Sequence, residues 1–222
     1  MVTDVEKPLI VAIDGPSGSG KSSTARGVAE RLGLAYLDTG AMYRAAAWLV
    51  ADRNLDEPDD IVDAIRTASL EISLDPAAFA IAIEGTEVTE AIREPRISAA
   101  VSKVATIQAV RDILIARQRE LIAGAEQGIV AEGRDITTVV APEAPVRVLL
   151  VADPAARIAR RHAELGESVD QAQVTDQVIR RDADDSTVAA FTEAAPGVTV
   201  VDSTHLTLAE VIDRICALAQ ST

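Results

Sequence analysis

The chain has 222 residues and a formal net charge of −14, from 35 acidic and 21 basic side chains. This charge argues against binding to the phosphate backbone of nucleic acids, which needs a basic surface, and we expect small-molecule partners. A single cysteine excludes an internal disulfide, and with neither a basic and apolar leader nor an apolar run of about 18 residues, the sequence indicates a cytoplasmic protein outside the membrane.

Five apolar segments with strand character alternate with helical patterns along the chain. This alternation predicts an α/β fold whose core is a five-stranded parallel sheet with helices on both faces. Between residues 70 and 89, short alternating segments predict a small antiparallel sheet inserted into this core. The predicted core strands are 9–13, 34–37, 128–131, 146–152 and 198–201, and the predicted helices are 22–32, 43–51, 97–121, 154–165, 173–182 and 208–218.

A glycine-rich segment follows the first predicted strand. Residues 15–22 read Gly-Pro-Ser-Gly-Ser-Gly-Lys-Ser and fit the phosphate-loop pattern G-x-x-x-x-G-K-[ST] between a strand and a helix. Glycines let backbone N–H groups turn towards a phosphate, and the helix N-terminus adds positive charge. The alternative is an ordinary turn rich in glycine and serine. The predicted nucleoside triphosphate site comprises Gly15, Pro16, Ser17, Gly18, Ser19, Gly20, Lys21, Ser22 and Ser23.

The sequence predicts a specific role for each of three side chains in or next to this loop. Lys21 is expected to contact the β- and γ-phosphates, and the Ser22 hydroxyl to bind Mg²⁺. Asp14, at the end of the strand, is expected to accept hydrogen bonds from loop amides rather than to take part in catalysis. These assignments predict a P-loop sandwich as the core of the fold.

Polar residues also follow the second and third predicted strands. The segments are Asp-Thr-Gly-Ala-Met-Tyr-Arg at 38–44 and Ala-Glu-Gly-Arg-Asp at 131–135. Open α/β sheets bind ligands at the carboxyl ends of their strands, so both turns are expected to face a second substrate. A structural salt bridge beside a tight turn is the alternative for the Gly-Arg-Asp triplet. Asp153 resembles a Mg²⁺-linked aspartate after an apolar strand, but Pro154 behind it favours a helix N-cap.

With Asp-Ser-Thr at 202–204, these segments make the chain resemble the bacterial cytidylate kinases over nearly its whole length. The resemblance implies one P-loop kinase domain over 1–222, with a monophosphate-binding module at about 45–125 that contains the small sheet, and a lid at 157–185. It implies transfer of the γ-phosphoryl group of ATP to CMP or dCMP with the help of Mg²⁺. We expect the enzyme to be a monomer.

The resemblance also assigns residues to the acceptor site. Ser102 and Arg111 rest on it alone, because an arginine on a long amphipathic helix is usually solvated or ion-paired. Asp135 has a physical reason as well: its carboxylate can accept a hydrogen bond from the exocyclic amine of cytosine, whereas uracil presents a carbonyl oxygen there. The acceptor residues are Thr39, Tyr43, Arg44, Ser102, Arg111, Arg134, Asp135, Arg181 and Asp185.

The catalytic cations are expected to be Lys21 and three lid arginines, Arg157, Arg161 and Arg181. Arginines that close over the reacting phosphate stabilise its spread charge and exclude water. The sequence departs from the family pattern at Val188, where many members carry an arginine. Arg160 or Arg180 could take its place, the phosphate clamp could be weaker, or the alignment through this acidic stretch could be shifted.

Three other functions compete with this interpretation. A related kinase could act on another nucleoside monophosphate or on shikimate. A regulatory GTPase needs an Asn-Lys-x-Asp motif, which is absent because Asn54, the sole asparagine, precedes Leu55. A nucleotide-binding protein without turnover would fit the departure at Val188, but the loop lysine and the other phosphate-binding candidates are intact.

Overall fold

The computed structural model describes residues 8–165 and 193–221, without the side chains of 161, 164 and 165. Five parallel strands form the core sheet in the order β2-β6-β1-β7-β8. Each lies within two residues of a predicted strand, so the parallel sheet is confirmed. The strands are β1 Ile10–Asp14, β2 Ala35–Asp38, β6 Ile129–Gly133, β7 Val146–Val151 and β8 Thr199–Asp202.

Seven α-helices lie within the described residues. They are α1 Lys21–Leu32, α2 Thr39–Asp52, α3 Pro58–Thr67, α4 Pro95–Ala105, α5 Gln108–Gly124, α6 Pro154–Leu165 and α7 Leu208–Gln220, together with a 3₁₀ turn at Ala91–Arg93 and a π-helical turn at Ile136–Val140. None of these helices is both long and apolar enough to cross a lipid bilayer. The helix predicted at 173–182 lies outside the described residues.

The core sheet buries both of its faces, as the continuous apolar strands predict. Val11 and Ile13 of β1 pack in a cluster with α1 and α7, whereas Ala12 between them packs in a cluster with α5, and all three are fully buried. Burial of each larger apolar side chain stabilises the fold by roughly 1.5–3 kcal/mol. The two layers hold β1, β2 and β6 rigidly, so the carboxyl ends of these strands meet at one edge of the sheet.

The predicted small antiparallel sheet is also confirmed. It consists of β3 Leu70–Ile72, β4 Ile81–Ile83 and β5 Thr86–Glu87 in the order β3-β4-β5. Helix α2 joins this sheet to the rest of the protein: Ala41 and Ala45 pack with β4, whereas Ala46 and Ala47 pack with α3, α4 and α5. Small alanine side chains let elements approach α2 closely on two sides.

Two predicted helices have different bounds in the structure. The expected helix at 97–121 is two helices in the structure. Ile107 between them is extended (φ −82°, ψ 109°), and the Thr106 hydroxyl at the end of α4 donates back to the Ser102 carbonyl at 2.8 Å. The helix expected at 43–51 begins at Thr39, so most of the predicted polar turn at 38–44 is helical. Asp38 caps it by accepting a hydrogen bond from the Ala41 amide at 2.8 Å.

Candidate active site

The glycine-rich loop connects β1 to the first turn of α1. Gly18 and Gly20 have φ angles of +73° and +87°, a left-handed conformation that glycine adopts without strain. A side chain at Gly15 would collide with the Leu150 carbonyl of β7. Because α1 begins directly at Lys21, its unpaired amides and its partial positive charge lie beside the loop. This conformation is suited to an anionic group such as a phosphate.

A cavity of about 530 Å³ lies between this loop, the ends of β2 and β6, and helices α4 and α5. Six cationic side chains line it against three carboxylates, although the chain as a whole is acidic. Of the predicted residues, the lining contains Ser17, Gly18, Gly20, Lys21, Ser22, Ser23, Thr39, Tyr43, Arg44, Arg111, Arg134 and Asp135. It also contains residues of the two predicted polar turns that were given no individual role, Asp38, Gly40, Glu132 and Gly133. The sequence did not single out the remaining lining residues, which are Arg26, Tyr36, Arg93, Ser98, Val101 and Ala105.

Some predicted residues lie elsewhere. Gly15 and Pro16 are in the loop but outside the cavity lining, and Ser19 lines a second cavity of about 420 Å³ between α1, α6 and α7. Helix α4 contributes Ser98, Val101 and Ala105 to the lining of the first cavity, but Ser102 is not part of that lining. The side chain of Arg161 and the whole of Arg181, Asp185 and Val188 lie outside the described residues.

Asp38 and Arg44 form an ion pair at the start of α2. Arg44 Nη2 donates to Asp38 Oδ2 at 2.9 Å, one helical turn and a half from the cap. Burial opposes ionisation of Asp38, but the charges of Arg44 and Lys21 and the Ala41 amide together hold its pKa below the usual value. An ionised Asp38 therefore fixes the Arg44 guanidinium inside the cavity.

A second ion pair joins α5 to the segment after β6. Arg111 Nη2 donates to Asp135 Oδ2 at 2.5 Å, and the two side chains are 10% and 9% exposed. Burial raises the pKa of Asp135 above its usual value, and Arg111 offsets only part of this effect. The Gly-Arg-Asp triplet thus contributes a buried ion pair, and the same carboxylate lines the cavity. The hydroxyl of Tyr43, also in the lining, is buried and has no hydrogen-bond partner among the described residues.

Glu132, at the carboxyl end of β6, lies in a turn that was expected to face a substrate, but sequence reasoning gave this residue no role of its own. Its side chain is 2% exposed, and Oε1 accepts hydrogen bonds from the Ser22 hydroxyl at 2.6 Å and from the Tyr36 hydroxyl at 3.3 Å. Burial, with the nearby charge of Asp38, raises its pKa, while Lys21 acts in the opposite direction. The available signal was an apolar strand, Ile129-Val130-Ala131, that ends in a carboxylate.

The donor atoms around Glu132 fit a magnesium ion. Mg²⁺ prefers oxygen ligands and keeps several of its waters, so it needs only one or two protein groups beside the phosphates. The Ser22 hydroxyl and the Glu132 carboxylate are such groups, and they lie next to Lys21 in the same cavity. The Thr39 hydroxyl donates to the Glu132 carbonyl at 2.8 Å and so fixes the backbone there.

The sequence profile of the cytidylate kinase family matches residues 11–221. The chain belongs to the cytidylate kinase family. A cytidylate kinase of Cutibacterium acnes is 61% identical over 218 residues, covering 97% of both chains, and one of Nocardia farcinica is 45% identical over 217 residues, covering 95% and 93%. An uncharacterized protein from Eubacterium ventriosum superposes with a TM-score of 0.56 at 13% identity, over 96% and 99% of the chains, which reflects the fold alone.

In this member of the cytidylate kinase family, α6 carries two arginines against the phosphate loop. Arg157 Nη1 donates to the Ser17 carbonyl at 3.1 Å. Arg160 donates to the Ser203 carbonyl at 2.6 Å and to its hydroxyl at 3.0 Å, which ties α6 to the segment after β8. Neither guanidinium belongs to the lining of the first cavity in this conformation.

Two aspartates of uncertain role prove to be structural. The Asp14 carboxylate accepts from the amides of Ile136 and Thr137 at 2.9 and 2.8 Å and from the Thr137 hydroxyl at 2.7 Å. It therefore satisfies amides as expected, but those of the π-helical turn rather than of the glycine-rich loop. Asp153 Oδ1 accepts from the Ala155 amide at 2.8 Å, which confirms the N-cap interpretation.

Proposed function

We propose that this chain transfers the γ-phosphoryl group of ATP to CMP or dCMP, giving ADP and CDP or dCDP. The observation that supports this most strongly is that the phosphate loop and the buried Arg111–Asp135 pair line the same cavity. The loop suits the donor phosphates, and the ion pair offers a carboxylate to an acceptor base. The names of the relatives in Cutibacterium acnes and Nocardia farcinica agree with this activity.

For the donor, we infer that the loop amides and Lys21 bind the β- and γ-phosphates. Ser22 and Glu132 would hold Mg²⁺, which would neutralise part of the charge of the donor phosphates. The Arg134 guanidinium donates to the Gly15 carbonyl, so it lies beside the loop and within reach of a transferred group. Arg157, Arg161 and Arg181 are proposed to complete the cationic surroundings of that group.

For the acceptor, we propose that Arg44 and Arg134 bind the monophosphate and that Asp135 accepts a hydrogen bond from the cytosine amine. Tyr43 has a buried hydroxyl available for the acceptor. Thr39, Ser102, Arg111, Arg181 and Asp185 complete the proposed acceptor site. The phosphate oxygen of a monophosphate is ionised at neutral pH, so the reaction needs alignment and charge stabilisation rather than a strong general base.

Several broader features remain proposals of the same kind. We propose that residues 1–222 form one kinase domain, with a monophosphate-binding module at about 45–125 and a lid at 157–185. The packing of α2 with both the small sheet and α3 to α5 supports the module. The single cysteine supports a cytoplasmic location, and the acidic charge supports small-molecule substrates rather than nucleic acid. We also propose that the enzyme is a monomer.

The test is an assay of ADP release with ATP and Mg²⁺, in which CMP, dCMP, UMP, AMP and shikimate are compared as acceptors. We expect turnover on CMP and dCMP, and we expect Asp135→Asn to lower kcat/KM for CMP by about 10- to 150-fold, since a charged hydrogen bond contributes about 1.5–3 kcal/mol. The loss for UMP should be smaller, so the preference for CMP over UMP should shrink.

The replacement by asparagine keeps the shape of the side chain and an oxygen that can accept a hydrogen bond from Arg111. Alanine would remove the counter-charge and the acceptor together and would destabilise the protein more. Asp63→Asn is the matched control, because Asp63 also pairs with an arginine, Arg66, but on the exposed surface of α3. Activity on another acceptor would assign the chain to a different kinase reaction. Nucleotide binding without any turnover would contradict the proposed enzyme.

A further inference from the structure

Tyr36, in β2, connects three parts of the molecule that the proposed mechanism does not link. Its side chain is 1% exposed, yet part of it reaches the cavity lining. The hydroxyl donates to Glu132 Oε1 at 3.3 Å, and the Arg26 guanidinium lies 5.7 Å from the ring centroid. On another side, the ring meets Phe79 edge-on, with centroids 6.4 Å apart.

The hydroxyls of Tyr36 and Ser22 donate hydrogen bonds to the same carboxylate oxygen. Glu132 Oε1 accepts from Ser22 on α1 and from Tyr36 on β2, so two donors from different elements define the orientation of the carboxylate. Without the phenolic hydroxyl, Oε1 would lose one of these two hydrogen bonds and keep the one from Ser22. The carboxylate would then have more freedom to rotate, and the Ser22 hydroxyl would have a less fixed acceptor.

A loop of the small sheet holds Tyr36 in place. Residues 73–80 connect β3 to β4, and the loop is closed by a hydrogen bond from the Ser73 amide to the Ala80 carbonyl at 2.8 Å. The Tyr36 amide donates to the Leu74 carbonyl of this loop, also at 2.8 Å. Phe79 packs both with the core cluster that contains Tyr36 and with the cluster of the small sheet. The loop therefore contacts both the backbone and the ring of Tyr36.

We propose that Tyr36 is a positioning residue for phosphoryl transfer, which orients Glu132 and through it the Ser22 hydroxyl, and that loop 73–80 holds Tyr36 in the position this requires. The proposal rests on the inference that Ser22 and Glu132 hold Mg²⁺ at the donor site. On this proposal, the small sheet helps to position the residues of the donor site through its loop 73–80. The competing view is that Tyr36 only fills space in the core.

Tyr36→Phe separates the two views, because it keeps the ring and its contacts and removes the hydroxyl alone. The measurement is the affinity for ADP by calorimetry, with and without Mg²⁺. We expect Tyr36→Phe to weaken ADP binding about 3- to 15-fold in the presence of Mg²⁺ and to leave metal-free binding within about twofold, as the loss of one hydrogen bond predicts. The KM for CMP should stay within about twofold while kcat falls.

A double-mutant cycle with Glu132→Gln tests whether Tyr36 acts through Glu132. In the Glu132→Gln background, Tyr36→Phe should cause no further loss of Mg²⁺-dependent ADP binding. Thr67→Val is the matched control: it removes a hydroxyl that donates to the Asp63 carbonyl at 2.9 Å, away from the cavity, and should leave ADP binding unchanged. Phe79→Leu tests the loop, and a smaller loss in the same direction is expected.

Three results would overturn the proposal: an equal loss with and without Mg²⁺, additive losses in the cycle, or no loss at all. Fluorescence of the single tryptophan, Trp48, checks that each variant is folded. ADP binding does not involve the acceptor, so the outcome is independent of whether CMP is the substrate. A failure of the acceptor assay and a failure of the positioning role are therefore distinguishable.

Discussion

The carboxylates buried at the edge of the sheet have different partners in place of water. Some lie beside cations, and others accept hydrogen bonds from neutral groups. Asp38 has two cations within reach of its charge, and its pKa lies below the usual value. Asp14 accepts hydrogen bonds from neutral donors of Ile136 and Thr137, and burial outweighs them, so its pKa is raised. A hydrogen bond from a neutral group stabilises a buried charge less than an ion pair does. The fold therefore bears a cost for ionising Asp14.

That cost predicts a pH dependence of stability. Because the pKa of Asp14 is raised in the folded protein, the folded protein retains this proton to higher pH than the unfolded chain. The free energy of unfolding therefore falls as pH rises above 3.8, the ordinary pKa of an aspartate. Asp14→Asn cannot titrate. Urea unfolding followed by Trp48 fluorescence between pH 4 and 7 should show wild type losing stability relative to the variant, by at most about 1.4 kcal/mol per pH unit.

Thr137→Val is the control for this experiment. It removes the hydroxyl donor that lowers the pKa of Asp14 but keeps the carboxyl group, so the dependence on pH should persist and extend to higher pH. Parallel stability curves for wild type and Asp14→Asn would show that burial of this carboxyl group costs nothing on ionisation.

At the scale of elements, the sequence predicted best what local pattern determines. The five core strands are continuous apolar runs, and their bounds were predicted within two residues. The prediction of one helix at 97–121 was wrong, because neither glycine nor proline marks the break at Thr106 and Ile107. The break follows from tertiary packing, since Val104, Ile107 and Val110 on both sides of it enter one apolar cluster.

The residues of the candidate site also fall into two groups: some are predicted by a local sequence pattern, and others are brought together only by the fold. Lys21 and Ser22 follow from a contiguous motif and a fixed spacing. Glu132 and Tyr36 are 96 positions apart and meet only because β2 and β6 are neighbours in the sheet. Arg26 and Arg93 likewise enter the cavity through the placement of α1 and of the 3₁₀ turn. Contacts of this kind leave no local pattern in a single sequence.

The last helix offers a prediction at this scale. Thr207 and Glu210 form a capping box at the start of α7: the Glu210 amide donates to the Thr207 hydroxyl at 3.3 Å, and the Thr207 amide donates to Glu210 Oε2 at 2.8 Å. Thr207→Ala should lower the free energy of unfolding by about 1 kcal/mol, measured by urea titration.

Ser221→Ala is the matched control for the capping box. It removes a hydroxyl at the other end of α7, which donates to the Ala217 carbonyl at 2.8 Å, and should change stability by less than about 0.5 kcal/mol. Equal effects of the two variants would mean that the capping box adds nothing beyond an ordinary surface hydroxyl.

At the scale of the whole molecule, charge is segregated. The chain carries a net charge of −14, whereas the main cavity is lined by more cations than carboxylates. A negative surface repels itself and also repels anions in general, but the field inside a cationic cavity attracts them. Anionic substrates therefore meet an attractive field at the cavity and a repulsive one over the rest of an acidic protein.

A higher salt concentration should stabilise the folded protein and weaken the binding of ADP. Raising NaCl from 50 to 500 mM screens the repulsion among surface acids, so the Tm should rise. The same screening weakens the attraction of ADP to the cavity, so its Kd should increase, by several-fold. Thermal unfolding and calorimetry in the two salt concentrations check this. A higher Tm with tighter ADP binding, or a lower Tm with weaker ADP binding, would contradict segregated charge.

The hydrogen bond from the Tyr36 amide to the Leu74 carbonyl has a consequence for colloidal behaviour. Strand β2 lies at the edge of the core sheet, and its outward amides are donors to which a strand of another chain could pair. Leu74 occupies one of these donors, and Phe79 covers the adjacent ring. The loop between β3 and β4 thus hinders the pairing of β2 with a strand of another copy of the protein.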